Sequence, residues 1–287
     1  MGNARVKEAR KLSRRSVRAE RRLFLVDGPK AVAGAVEEPA RVVEVFATPQ
    51  ATSQYGELAG AARAAGVPWT LLEERALASL SDSVTPAGVV AVCRFVDVPL
   101  RSVVEVRGRP RPSPSRLASS HLRNHLETIS GFVAICADVR DPGNAGTVIR
   151  TADAAGAAGV VLAGDSVDAY NPKTVRASVG SLFHLPVAVE RDAAAAVRAA
   201  RAAGLLVLAA DGGGEVDLFD ADALLARPTA WLFGNEAHGL PGDLAASADH
   251  RVRIPIHGRA ESLNLATAAA LCLYASARAR RTGHPAQ

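Results

Sequence analysis

From Gly131 onward the chain alternates short apolar runs with alanine-rich stretches of helical period, and no other feature narrows its possible folds as far. The apolar runs are Phe132 to Ala137, Val160 to Ala163, Leu185 to Val189, Leu205 to Ala210, Trp231 to Phe233 and Val252 to Ile256. Stretches such as 145–155 and 192–203 read as helices between them. Strands that are apolar throughout have both faces to hide, and a parallel sheet covered by helices on each side hides them. The second half is therefore predicted to be α/β, with its ligand beyond the carboxyl ends of the strands.

A polar, proline-punctuated stretch, residues 107–115, precedes this region. Proline restrains its own backbone and that of the residue before it, so a semi-rigid linker is expected. The predicted organisation is a small domain over 1–106, a connecting segment over 107–130 and a larger domain over 131–287, each long enough to bury a core. In the first domain residues 4–22 read as a basic helix and Leu23 to Val26 and Val42 to Phe46 as strands. A helix near Glu57 to Ala65 and apolar runs at Trp69 to Leu72 and Val89 to Phe95 complete a small α/β pattern. A connecting helix over 116–128 carries His121 and His125. Their i,i+4 spacing suits a metal, but the HExxH pattern and further ligands are missing, and an exposed polar helix accounts for both residues.

Composition bounds the function. A hydrophobic fraction of 48% marks a globular chain, not a disordered one. The net charge of +5 is uneven, since residues 1–30 hold ten Lys or Arg against three acids. Such clustering points to a polyanionic partner, although a solvated amphipathic arm has the same composition. Arginine makes up 30 of the 34 basic residues, which suits phosphate but also follows from a GC-rich coding sequence. Cys93, Cys136 and Cys272 sit in apolar runs without CxxC spacing and read as reduced core residues, so a cytoplasmic location is expected. No run approaches the roughly 20 apolar residues of a membrane span, and no secretory h-region follows the basic start.

Three segments carry polar groups to the expected ligand edge. The first is Asp141-Pro142-Gly143-Asn144-Ala145-Gly146-Thr147-Val148-Ile149-Arg150, in which Asn144 is expected to cap a helix. Arg150 lies six residues on, about 9 Å of helical rise, and its long side chain can lean back toward the helix start. The second is Leu232-Phe233-Gly234-Asn235-Glu236, where glycine permits close approach of a ligand to the backbone and Asn235 supplies donor and acceptor. Glu236 is expected to hold the loop or to orient Asn144 or Arg150. His238, two residues further, reads as a loop residue. The third pairs Ile254-Pro255-Ile256 with Ser262-Leu263-Asn264 at the start of the last long helix. Its apolar groups can enclose a planar ring while helix-start amides bind oxygens. A capped helix with a surface arginine, or a plain strand-to-helix turn, would explain any one segment alone.

Together the three segments resemble the motifs of the SpoU family of S-adenosyl-L-methionine-dependent RNA ribose 2'-O-methyltransferases, over about residues 132–280. The first hundred residues resemble the substrate-binding domain, similar to a ribosomal-protein fold, that many members carry in front. The resemblance implies a trefoil knot over 230–275 and a homodimer, with the final helix, 263–277, as a contact surface. It places Asn144 and Arg150 against the RNA ribose, with Glu236, Ser262 and Asn264 completing the catalytic set. Gly234, Ile254 and Leu263 match positions that contact the cofactor, with Leu232, Phe233, Asn235 and Ile256 beside them; Ile256 stands where methionine is usual. The expected substrate is 23S ribosomal RNA, as in resistance-type members that protect an antibiotic producer's ribosomes, and no metal is required.

A guanidinium carries donors and no acceptor and is a poor base at neutral pH, so Arg150 is expected to bind the adjacent phosphate and stabilise the developing alkoxide. Transfer RNA as the substrate, or a noncatalytic ribosome-assembly protein that keeps the fold, remain alternatives. A GxGxG-type methyltransferase or dehydrogenase loop is disfavoured, because Asp211-Gly212-Gly213-Gly214 lacks the spacing.

Overall fold

A computed structural model describes residues 2–105 and 131–282. The linker and helix expected over 107–130, with His121 and His125, fall outside the described residues. The described chain forms two compact units, one from 2–96 with 168–184 and the other from 97–105, 131–167 and 185–282. The linear division at 107–130 does not contain this exchange: residues 168–184, from the middle of the second half, belong to the first unit.

In the first unit, β1 (Leu23–Asp27), β2 (Val42–Ala47), β3 (Trp69–Leu71) and β4 (Val89–Arg94) form one sheet in the order β1-β4-β2-β3. β4 runs antiparallel to both β1 and β2, and its residues Val89 to Cys93 are all buried, which explains an apolar run without alternation. The basic arm is not the single helix expected over 4–22. It consists of helix Gly2–Arg10, a 3-10 turn Lys11–Ser13 and helix Arg15–Arg21. Val6, Ala9 and Leu12 pack into a core with Leu25, Phe46 and Val90, so the arm is part of the fold.

Arg18 explains the break in the arm. Its side chain is 3% exposed, and Nη1 donates to the carbonyls of Leu12 and Ser13 at 2.9 and 2.8 Å. Nε and Nη2 donate to Asp168 at 3.0 and 2.6 Å. Carbonyls that a continuous helix would have satisfied are satisfied by this one guanidinium. Removing either charge would strand the other in a dry site at a cost of about 3–5 kcal/mol. The segment 168–184 is held further by Tyr170, whose ring stacks on Phe95 at 3.7 Å between centroids, and by an ion pair between Arg176 and Asp82.

In the second unit, β5 (Phe132–Ala137), β6 (Val160–Ala163), β7 (Val187–Glu190), β8 (Leu206–Ala210), β9 (Val216–Asp217), β10 (Thr229–Phe233) and β11 (His250–Arg253) form a sheet in the order β7-β6-β5-β10-β8-β11-β9. Every pairing is parallel, as the α/β pattern requires. β11 stops at Arg253, so Ile254 to Ile256 leave the sheet instead of extending it. The two-residue β9 was not expected; it is too short to show as an apolar run. The knot over 230–275 stays what the family resemblance implies.

Two long helices flank the ligand edge. Helix Pro142–Ala155 is capped by Asp141, whose carboxylate accepts from the Asn144 amide at 2.8 Å. Asn144 is therefore in the first turn and is not the cap, because Pro142 takes the first helical position that proline favours. Helix Leu265–Thr282 packs against it and is tied to β10 by a buried bond from Trp231 Nε1 to Ser276 Oγ at 2.8 Å. Among the described residues, no helix is long and apolar enough to cross a membrane.

Candidate active site

Because the strands are parallel, the turns after β5, β8, β10 and β11 emerge on one edge. Three of them, with the approach to helix Leu265–Thr282, enclose a cleft of about 330 Å³. Phe233, Gly234, Asn235 and Glu236 line it from the second motif, and Ile254, Ile256, Ser262 and Leu263 from the third.

The turn after β10 is possible only with glycine at its first position. A Cβ on Gly234 would lie 2.4 Å from the backbone carbon of Gly239. The chain doubles back there through paired bonds of 2.9 Å between the backbones of Asn235 and Gly239, with Gly239 at φ +67°. Asn235 locks the turn: its Oδ1 accepts from the Ala237 and His238 amides at 2.9 and 3.2 Å, while Nδ2 donates to the Asp138 carbonyl at 2.8 Å. His238 sits in this turn with Nδ1 3.3 Å from the same oxygen, a loop residue as its position implied.

Glu236 binds the neighbouring turn. Its carboxylate accepts from the backbone amides of Arg140 and Asp141 at 3.1 and 3.0 Å and from Asn144 Nδ2 at 3.2 Å. Partial burial opposes its ionisation, but these donors outweigh it and hold the carboxyl below the usual carboxylate range. Asn144 Oδ1 in turn accepts from Asn264 Nδ2 at 3.0 Å, and Asn264 Oδ1 caps the last helix by accepting from Ala266 and Thr267 at 2.9 and 3.3 Å. One chain of side-chain bonds, Asn264 to Asn144 to Glu236, thus joins all three motifs and fixes both amide planes.

The remaining residues fall into distinct places. Arg150 is exposed on helix Pro142–Ala155 and has no hydrogen-bond or ion-pair partner among the described residues, so its charge is available to a ligand. Ser262 is exposed at the cleft, and Leu263 and Ile256 leave 36% and 39% of their surface open. Leu232 and Phe233 are both buried, Leu232 in the core with Val133 and Ile135 and Phe233 with its ring stacked on Trp231; of the two, Phe233 belongs to the cleft wall.

Asp211 and Gly212 line the cleft from the end of β8, where the sequence shows only a glycine run without the GxGxG spacing. Their wall is braced by ion pairs from Arg251 to Glu215 and from Arg253 to Asp217, at 3.2 and 3.5 Å. The usable signal was their position after an apolar run, next to the strand carrying the second motif. Among the described residues, no cluster of three or more His, Cys, Asp or Glu could hold a metal.

The model of the SpoU rRNA methylase family matches residues 131–274, and that of an MRM3-like substrate binding domain matches residues 3–91. The chain belongs to the SpoU rRNA methylase family. A 23S rRNA (guanosine(2553)-2'-O)-methyltransferase of Bacillus subtilis, RlmP, is 30% identical over 275 residues, 95% of each chain. A 23S rRNA (uridine(2479)-2'-O)-methyltransferase of Streptomyces viridochromogenes is 44% identical over 150 residues, which span 50% of this chain and only 52% of that enzyme. Among solved structures, the SpoU methyltransferase AviRb from Streptomyces viridochromogenes in complex with the cofactor AdoMet aligns with a TM-score of 0.77 at 30% identity, covering 98% of this chain and 99% of that one.

Proposed function

We infer that this protein transfers a methyl group from S-adenosylmethionine to a ribose 2'-hydroxyl of 23S ribosomal RNA, in the cytoplasm. The observation that carries the reading is the bond chain Asn264–Asn144–Glu236, which links polar groups of three separate motifs beside the cleft; Glu236 lines that cleft, while Asn144, Asn264 and Arg150 stand outside its lining.

The cleft fits the cofactor by its own chemistry. Gly234, Asn235 and Ile254 present backbone at the cleft, and Ile256 and Leu263 supply apolar surface for an adenine ring. Ser262 offers a hydroxyl beside them. The bound cofactor supplies a methyl group already activated by its sulfonium, so the protein's task is alignment and charge stabilisation. Glu236 holds the Arg140–Asn144 turn and, with Asn264, orients Asn144 to grip the ribose. Arg150 binds the adjacent phosphate and stabilises the alkoxide, while the proton leaves to an acceptor other than this guanidinium. The first unit, with its basic arm, captures the RNA. A homodimer is proposed through helix Leu265–Thr282, which exposes Leu271 and Tyr274 three residues apart on one face.

The test is Arg150→Ala. Methyl transfer to ribosomal RNA should fall by about 10²-fold or more, the effect of removing a transition-state donor, while calorimetry finds cofactor affinity within a few-fold of wild type. Near-normal turnover in this variant would remove the assignment.

A further inference from the structure

The first unit holds a second cleft, of about 350 Å³, that the methyl-transfer chemistry does not use. It opens where β2 ends: Thr48 caps helix Pro49–Gln54, and Gln50 and Gln54, four residues apart, stand on one face of that helix. Tyr55 follows them, and Glu74 faces the cleft from helix Glu74–Ala78, whose Leu77 forms a buried floor. Gly88 shapes the wall: at φ +79°, a Cβ there would lie 2.9 Å from both Thr48 Oγ1 and Ala51 Cβ.

Thr48 spends its hydroxyl on the helix cap, but four other polar side chains of this cleft are unused. Among the described residues, Gln50, Gln54, Tyr55 and Glu74 make no side-chain hydrogen bond or ion pair. The neighbouring cleft beside Asp27 differs, because there Arg176 is paired with Asp82 and Asp27 accepts a bond from Ser81. Two amides and a carboxylate, exposed, and a half-buried phenol, all lining one cleft above the buried Leu77, have the make-up of a site that reads one planar, polar ligand. In RNA recognition such a ligand is an unstacked base, held on an aromatic ring and read along its edge.

We propose that this cleft receives a single unpaired guanine of the RNA substrate, stacked on Tyr55 and read by Glu74. A carboxylate only accepts hydrogen bonds, and guanine offers it adjacent N1 and N2 donors on one edge. Uracil offers one donor flanked by two carbonyls that repel the carboxylate. Gln50 and Gln54 donate and accept, so they take the base's remaining edge atoms. The inference rests on the reading of the chain as an RNA-modifying enzyme, and it names the base contact that reading lacks.

Fluorescence polarisation on the full-length protein tests it, with labelled uridine hexanucleotides that carry either one central guanosine or none, and with ribosomal RNA as the control ligand. The guanosine-containing strand should bind about tenfold more tightly. Glu74→Gln should reduce that preference to within about twofold, and Tyr55→Ala should weaken the guanosine strand by about tenfold, both with wild-type melting temperatures. Equal binding of the two strands by a protein that still binds ribosomal RNA overturns the guanine site and leaves the enzyme reading standing. Binding of neither strand nor ribosomal RNA overturns both.

Discussion

At the scale of single residues, Glu236 is the group on which the site's geometry turns. Its carboxylate serves two backbone amides and Asn144, and those bonds depress its pKa. For a carboxyl depressed in the folded state, the stabilisation is present above the unfolded value of about 4.3 and is lost as pH falls through the lower folded value. Wild type should therefore melt above Glu236→Gln near neutral pH, with the gap closing below about pH 4.3 as the carboxylate takes up its proton. A gap that stayed constant across a melting series from neutral to acid pH would show that ionisation of Glu236 is irrelevant. The sequence made part of the carboxylate's role legible: Glu236 was expected to hold the loop or to orient Asn144 or Arg150, and its bonds reach Asn144 and the turn before it. It mislaid the cap, because Asp141 and Asn144 are both good capping residues and only the place of Pro142 decides between them.

At the scale of elements, the turn after β10 shows how little freedom the cleft has. Gly234→Ala would drive a methyl group into the Gly239 backbone, and with no side chain there to move aside, the paired turn must open. We expect a stability loss of about 1–3 kcal/mol in melting experiments. The same variant should lose cofactor binding in calorimetry, and retained affinity would mean the turn is not the binding wall. Strands β5, β6 and β10 of the second unit are readable because each is buried on both faces and so written as an unbroken apolar run, whereas the edge strand β9 and the mixed β11 are not. Elements fixed by distant partners were not. The arm breaks where Arg18 reaches Asp168, 150 residues away, and no local pattern announces that bond. Asp211 and Gly212 join the cleft through sheet order, β8 lying beside β10, which periodicity does not encode.

At the scale of the whole molecule, the basic start has two jobs that its composition merged. Val6, Leu12 and Arg18 hold the first unit together, while Lys7, Arg10, Arg14 and Arg15 form no ion pair among the described residues, and Arg10, Arg14 and Arg15 stand exposed. Deleting the arm would therefore damage the fold, whereas changing these four cations to glutamine separates charge from packing. Binding to ribosomal RNA should weaken, and the plot of log affinity against log salt should become shallower by about 0.7–0.9 for each phosphate that is no longer neutralised. An unchanged slope would make the arm purely structural.

The central claim is that one cleft in the second unit methylates a ribose, and mapping the product tests it most directly. Ribosomal RNA incubated with the protein and methyl-labelled S-adenosylmethionine would be digested to nucleosides and resolved by mass spectrometry. The account predicts label on the ribose of one nucleoside from 23S RNA, absent when Arg150→Ala or Gly234→Ala replaces the wild type. Label on a base, or undiminished ribose label from either variant, would contradict it.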